Sequence, residues 1–284
     1  MSASTNTERA IELRTIVDAC TLVDTLGEHA TGELVVEVSA GSAGTVFVER
    51  GRVCWAAARG LSRRLSQLLG ERASVPPNAM ETHFAWCKSR RVPLGEHLVT
   101  TGVLKPRDLR EALLVHTVES LLCLCGSDAR ASFRPRSGEG YNPRFTFATA
   151  ELVTRGFATA HVPRASQLQK AIDELFADEP WAAAFVRSPT VAFPEPVAMS
   201  GVNAIPVSML LRYGKWGASA LDVLSTFTDA TALLSVMRPC ATALVAFRHD
   251  DALVVGETGA HGPARILNRR AQARARGERA DARL

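Results

Sequence analysis

No stretch of this sequence stays apolar for the roughly 18 residues that a membrane-spanning helix needs, so no membrane segment is expected. The first residues, Met1-Ser2-Ala3-Ser4-Thr5-Asn6-Thr7-Glu8-Arg9, lack a basic start followed by an apolar core, which argues against a secretory signal. The six cysteines (20, 54, 87, 123, 125 and 240) follow no regular framework and lie mostly in apolar stretches. Reduced, buried thiols in a cytoplasmic protein are the expectation. None of the seven histidines (29, 83, 97, 116, 161, 249 and 261) falls in an H-E-x-x-H pattern. Cys123 and Cys125 form the one close cysteine pair, and two sulfurs at that spacing diverge on either a helix or a strand. There is no G-x-S-x-G elbow, and Gly41-Ser42-Ala43-Gly44 lacks the lysine and the strand-to-helix context of a phosphate loop. The neighbouring Asp173 and Glu174 point apart on a predicted helix. No nucleophile is assembled with a base and an orienting group, so neither an enzyme, a metal nor a cofactor is expected.

What is present is ordinary globular material, with 46% apolar and 22% charged residues in 284, enough for about two domains. Charge is unevenly placed. From position 265 onward seven arginines stand against Glu278 and Asp281, a segment carrying +5 in a chain of +4, so the remainder sums to −1. Alanine and arginine both favour helix, and Pro263 to Arg276 reads as one that frays beyond Gly277. Its arginines, with Arg269, Arg270, Arg274 and Arg276 as the candidates, are either a solvated helix face or a polyanion-binding tail.

The most informative stretch is Thr45-Val46-Phe47-Val48-Glu49-Arg50-Gly51-Arg52-Val53-Cys54-Trp55-Ala56. Two β-type runs fold about a glycine suited to positive φ, with Val46 and Val48 on one face and Val53 and Trp55 sharing a face of the second strand. Upstream, 11–29 reads as a helix and 34–38 as a strand, with a glycine-rich turn at 40–44, so the strands form a three-stranded meander. A helix over 61–69 ends at Ser74-Val75-Pro76-Pro77-Asn78. Next, a short helix, a glycine cap at Gly102 and a helix starting near Pro106 read as a helical hairpin. A strand at 131–135 and a helix at 148–157 complete this half. Val162-Pro163-Arg164 is the candidate linker. Beyond it a helix at 165–177, strands at 181–187 and 190–193, a helix at 206–226, strands at 231–238, 241–248 and 252–257 and the terminal helix give the order α-β-β-α-β-β-β-α. Asp250-Asp251 reads as a hairpin turn. The fold class expected is α+β: an N-terminal β-meander with helices, then a C-terminal antiparallel sheet flanked by helices.

Thr31-Gly32-Glu33-Leu34, the Thr45-to-Ala57 block, Ala131-Ser132-Phe133-Arg134-Pro135 and Glu151-Leu152-Val153-Thr154-Arg155-Gly156 resemble the PATAN-type domain of bacterial regulators, over residues 10–160. That resemblance implies a signalling protein working through protein–protein contact. Within it, Leu94-Gly95, Leu98-Val99, Gly102-Val103-Leu104, Leu109 and Ala112-Leu113 resemble a helical segment of secretion and pilus ATPases, some of which bind cyclic di-GMP. The ligand-binding forms carry an arginine before the Leu-Gly pair and a glutamine after the last leucine, in two copies. This chain has one copy, with Pro93 and His116 at those places. Residues 165–276 resemble the roadblock (dynein light-chain) fold in element order, with Ser188-Pro189 where many such domains have an acidic-glycine turn. Proteins of that fold usually dimerise and serve small Ras-like GTPases.

The helix 206–226 carries Val207, Leu210, Leu211, Ala218, Leu221 and Leu224 as an apolar stripe, interrupted by Gly214 and Gly217, each costing about 1 kcal/mol against alanine. Two such glycines require a bend or a close approach. Tyr213 and Trp216 are candidate anchors of a partner face, Trp216 packing on the domain's own sheet being the alternative. Leu233, Ser235 and Met237 would share one face of the following strand and extend that interface. The expectation is a non-enzymatic cytoplasmic regulator or scaffold that forms a homodimer or binds a protein partner, a small GTPase among the candidates. The alternatives are a nucleic-acid-associated regulator using the arginine-rich end and a cyclic-dinucleotide receptor built on 92–116.

Overall fold

Glu49 pairs with Arg52, leaving a two-residue loop in which Arg50 (φ 52°) and Gly51 (φ 68°) both occupy the left-handed region. Such a turn matches the right-handed twist of the strands it joins. A Cβ built on Gly51 would stand 2.8 Å from both the Gly27 carbonyl oxygen and Glu28 Cα, so glycine is required twice over. The computed structural model describes residues 11–137, 141–187, 194–201, 205–224, 234–237 and 242–281. It is α+β, and its chain divides into two compact units, Met1–Leu152 and Val153–Leu284.

The first unit contains β1 (Ile11–Glu12), α1 (Ile16–Leu26), the meander β2 (Gly32–Val38), β3 (Gly41–Glu49) and β4 (Arg52–Ala58), then α2 (Leu65–Ala73), α3 (Pro77–Arg90), α4 (Leu94–Thr100), α5 (Pro106–Leu124) and β5 (Arg130–Pro135). Its strands form one antiparallel sheet in the order β1-β5-β2-β3-β4. The helix expected over 61–69 runs instead from Leu65 to Ala73, and four other local expectations change. Residues 11–12 pair with β5, and the helix begins only at Ile16, where Thr15 and Asp18 form a capping box. Gly41 is already paired to Val38, so the turn expected at 40–44 shrinks to Ser39-Ala40. A bulge leaves Cys54 between the pairs Val48–Val53 and Phe47–Trp55. Val53 and Trp55 consequently lie on opposite faces, because each follows its own partner. Residues 77–90, left without an element in the sequence, are helical.

The helical hairpin forms as its residues predict. Gly102 has φ +72° and Pro106 opens α5. Leu98, Leu104, Leu109 and Ala112 join Leu68, Leu69 and Met80 in a small helical core. Gly95 is tight against Leu109, whose Cδ1 would stand 2.7 Å from an added Cβ. α6 (Thr149–Ala158) carries the chain across the division.

In the second unit come α7 (Val162–Leu175), β6 (Trp181–Val186), β7 (Glu195–Gly201), α8 (Val207–Leu224), β8 (Leu234–Met237), β9 (Thr242–His249), β10 (Ala252–Gly259) and α9 (Gly262–Asp281), in the element order expected. Val162-Pro163-Arg164 is the first turn of α7 rather than an extended connection, a position where proline loses no helical hydrogen bond. The strand expected at 190–193 lies outside the described residues. β7 lies later, over Glu195–Gly201, and carries Pro196 on an edge strand, where a missing N–H is tolerated. α9 continues past Gly277 to Asp281. The sheet order is β7-β6-β10-β9-β8, all antiparallel.

Both faces of this sheet are covered. Ala182, Ala184, Val245, Phe247 and Val254 pack with Leu168, Ile172 and Ile266 of α7 and α9. Phe185, Leu253 and Val255, the alternate residues, meet α8. All six residues of β6 are buried accordingly.

Candidate functional site

Helix α8 presents two apolar rows. Val207, Leu210, Gly214, Gly217 and Leu221 recur every three or four residues and are buried against the sheet. Its glycines explain themselves here. A Cβ on Gly214 would lie 2.7 Å from Phe185 Cε1, and one on Gly217 would lie 2.8 Å from Val255 Cγ2. Close approach to the sheet, not a bend, is the reason for both. Tyr213 turns toward that sheet as well, stacking on the fully buried Trp181 with ring centroids 5.3 Å apart, while the Trp181 indole N–H donates to Glu257.

Trp216 lies on another flank. It is half-buried, and two turns on, Val223 is 61% exposed. Met209 and Ala220, both half-buried, fall on the same side by helical spacing. Asp222 accepts from Arg248 at 2.6 Å and from Arg187 at 3.1 Å, tying α8 to the ends of β9 and β6.

The edge strand β8 divides the remaining candidates. Val236 opposes Leu244 and Ser235 opposes Val245. Leu244 lies in the row of Ala246 and Val255, the side covered by α8, whereas Val245 belongs to the core under α7 and α9. Val236, 44% exposed, thus shares the side of Trp216, and the exposed Ser235 does not. Met237 opposes Ala243 in backbone register; its side chain and Leu233 lie outside the described residues. Val236 is the surface residue that the sequence reading missed, and only the register with β9 identifies it.

Four of the seven arginines from position 265 onward are engaged within the unit. Arg265 donates to Glu179 at 2.7 Å, and Arg269 donates to Asp178 and to the Leu175 carbonyl, both at 2.9 Å. Arg270 is buried, lies 4.2 Å over the Phe247 ring and donates to the Arg248 carbonyl at 3.2 Å. Arg276 pairs with Glu174. The Arg274 side chain lies outside the described residues. Guanidinium groups held by a domain's own carboxylates offer little to a phosphate backbone.

Pro93 and His116, the two positions compared above with a nucleotide-binding pattern, lie at the start of α4 and within α5. Pro93 is the N-cap of α4. His116 is buried, stacks on Trp55 at 6.2 Å, and burial pushes its imidazole below the ordinary range, opposed by Glu119 and the Ala56 carbonyl. His83 Nδ1 and His97 Nε2, from separate helices, come within 3.1 Å, with Trp86 stacked on His97 at 4.3 Å. Nothing in their spacing of fourteen residues announced that pair. Cys123 is exposed and donates to the Arg59 carbonyl, while burial pushes the Cys125 thiol up to about 12. Among the described residues no three His, Cys, Asp or Glu side chains are grouped to hold a metal, and no helix is long and apolar enough to cross a membrane. No protein-family model matches the chain, and no curated protein matches it.

Proposed function

We propose that the chain is a non-enzymatic signalling regulator or scaffold that works through protein–protein contact, with a PATAN-type first unit and a roadblock-like second unit that self-associates. The observation that carries this reading is the second apolar row of α8. The first row fills the core, and Trp216, half-buried, and Val223, 61% exposed, add a second apolar flank that stays partly open to solvent. Tryptophan is enriched among the residues that anchor interfaces. Among the described residues β8 is an edge strand of the sheet, and its Val236 is exposed on the same side. The element order α-β-β-α-β-β-β-α supports the roadblock-like reading, and with it a small Ras-like GTPase as the partner to test first.

Light scattering of the full chain across concentration tests the proposal. A dimer is expected, and Trp216→Asp together with Val223→Asp should render it monomeric while circular dichroism stays native. A monomeric wild-type protein, or a dimer indifferent to both charges, would remove the reading.

A further inference from the structure

We propose that His83 and His97 are the two protein ligands of a transition-metal dication of the zinc, nickel and copper class, held in the first unit between α3 and α4. Imidazole suits these ions, and the spacing of the two rings fits them. His83 Nδ1 and His97 Nε2 lie 3.1 Å apart, with ring centroids at 5.3 Å. A tetrahedral zinc ion bound at about 2.05 Å to each nitrogen would set those separations at about 3.3 Å and about 5.2 Å. The contact therefore needs to open by only about 0.2 Å to admit the ion. Two corners of the tetrahedron then remain for water.

The chain prepares this pair locally. Arg91, in the left-handed region at φ 55°, ends α3, and its N–H and that of Val92 donate back to the Lys88 and Cys87 carbonyls. That reversal brings α4 beside α3, so histidines fourteen residues apart meet. Met80, one turn before His83, and Leu98, next to His97, are both buried in the helical core, which fixes the two backbones before an ion arrives. Trp86 stacks on the His97 ring at 4.3 Å. Both imidazoles are half-buried rather than sealed, so an ion can reach them. As the contact stands, one ring donates to the other. An ion takes both lone pairs instead, which puts the proton on Nε2 of His83 and on Nδ1 of His97. Among the described residues neither ring has another hydrogen-bond or ion-pair partner, so nothing locks the opposite tautomers. Arg90 lies over Trp86 at 4.6 Å, and its charge opposes a dication and limits the affinity.

The full chain is titrated with Zn²⁺ by calorimetry. One equivalent should bind saturably with a Kd on the order of 1–100 μM, between a lone imidazole and a four-ligand site. Mg²⁺, which prefers oxygen ligands, should give no saturable heat. His83→Gln and His97→Gln, both at half-buried positions, should each weaken binding about tenfold or more while circular dichroism stays native. His29→Gln, at an exposed histidine outside the pair, should leave it unchanged. Nitrogen-15 NMR of the wild-type imidazoles gives a readout independent of any variant, since Zn²⁺ should fix the proton on Nε2 of His83 and Nδ1 of His97. The proposal falls if Zn²⁺ does not bind saturably, if Mg²⁺ binds as well, if either variant of the pair binds as the wild type does, or if His29→Gln weakens binding as much. It falls equally if the tautomers do not change, or if Co²⁺ as the probe shows thiolate charge-transfer absorption, which would give the ion to a cysteine.

Discussion

Two antiparallel sheets of five strands each are built here on different burial rules. In the first unit β3 alternates, with Val46 and Val48 buried and Thr45, Phe47 and Glu49 half-buried, as a strand with one face in a core should. In the second unit β6 and most of β10 are buried on both faces, because helices cover both sides. A strand of that kind has to limit side-chain volume in each direction. The run Ala182-Ala183-Ala184 does so, and Gly214 and Gly217 do the same from the helix side. A sheet covered once tolerates large half-exposed rings such as Phe47 and Trp55, stacked 5.3 Å apart; a sheet covered twice holds its rings where glycines make room.

The sharpest way to break this comparison is to delete one ring from each sheet. Phe185→Ala should destabilise by about 3–5 kcal/mol, as a fully buried aromatic packed against the helix at Gly214 leaves a cavity that cannot close. Phe47→Ala should cost less than about half as much, since Phe47 is only half-buried. Urea unfolding of the two variants decides it, and equal losses would mean that the difference in coverage has no energetic weight.

A smaller effect is expected at the hairpin of the single-covered sheet. Gly51→Val places a β-branched residue at φ 68° and against the Gly27 carbonyl, for about 1–3 kcal/mol. A lower melting temperature with native self-association at low temperature is the expected pattern, and wild-type stability would contradict the turn described above.

The smallest effect concerns acid. Burial holds His116 below its ordinary range, so the unfolded chain takes up a proton more readily than the native one as the pH falls. The stabilisation from keeping this imidazole neutral is complete above about pH 6.5 and is lost as the pH drops through that value toward the depressed folded pKa. His116→Gln should flatten stability against pH between about 6.5 and 5. An unchanged slope would show that His116 is not the group responsible.

The sequence made most of this architecture legible where one physical signal dominated. The Arg50-Gly51 turn, the Gly102 cap before Pro106 and the unbroken β6 run each produced the element expected. Helix α3 was illegible because its buried residues are few: Met80 and Cys87 stand seven apart, with Phe84 and Trp86 left exposed between them, so no apolar stripe marks it. The bulge at Cys54 and the exposure of Val236 depend on which residue pairs with which, and register is a property of two strands together. The arginines of α9 looked like a free basic face because Glu174, Asp178 and Glu179 are about ninety to a hundred residues away in sequence.

Those same arginines give α9 a gradient along its length. Ile266 is wholly buried and Arg270 nearly so, whereas Arg276 rests on an ion pair between two half-exposed or more exposed side chains. Apolar contact is indifferent to electrolyte, and surface ion pairs weaken as ions screen them. The helix is therefore a hem stitched firmly at one end and loosely at the other, and brine unpicks it from the outer end inward.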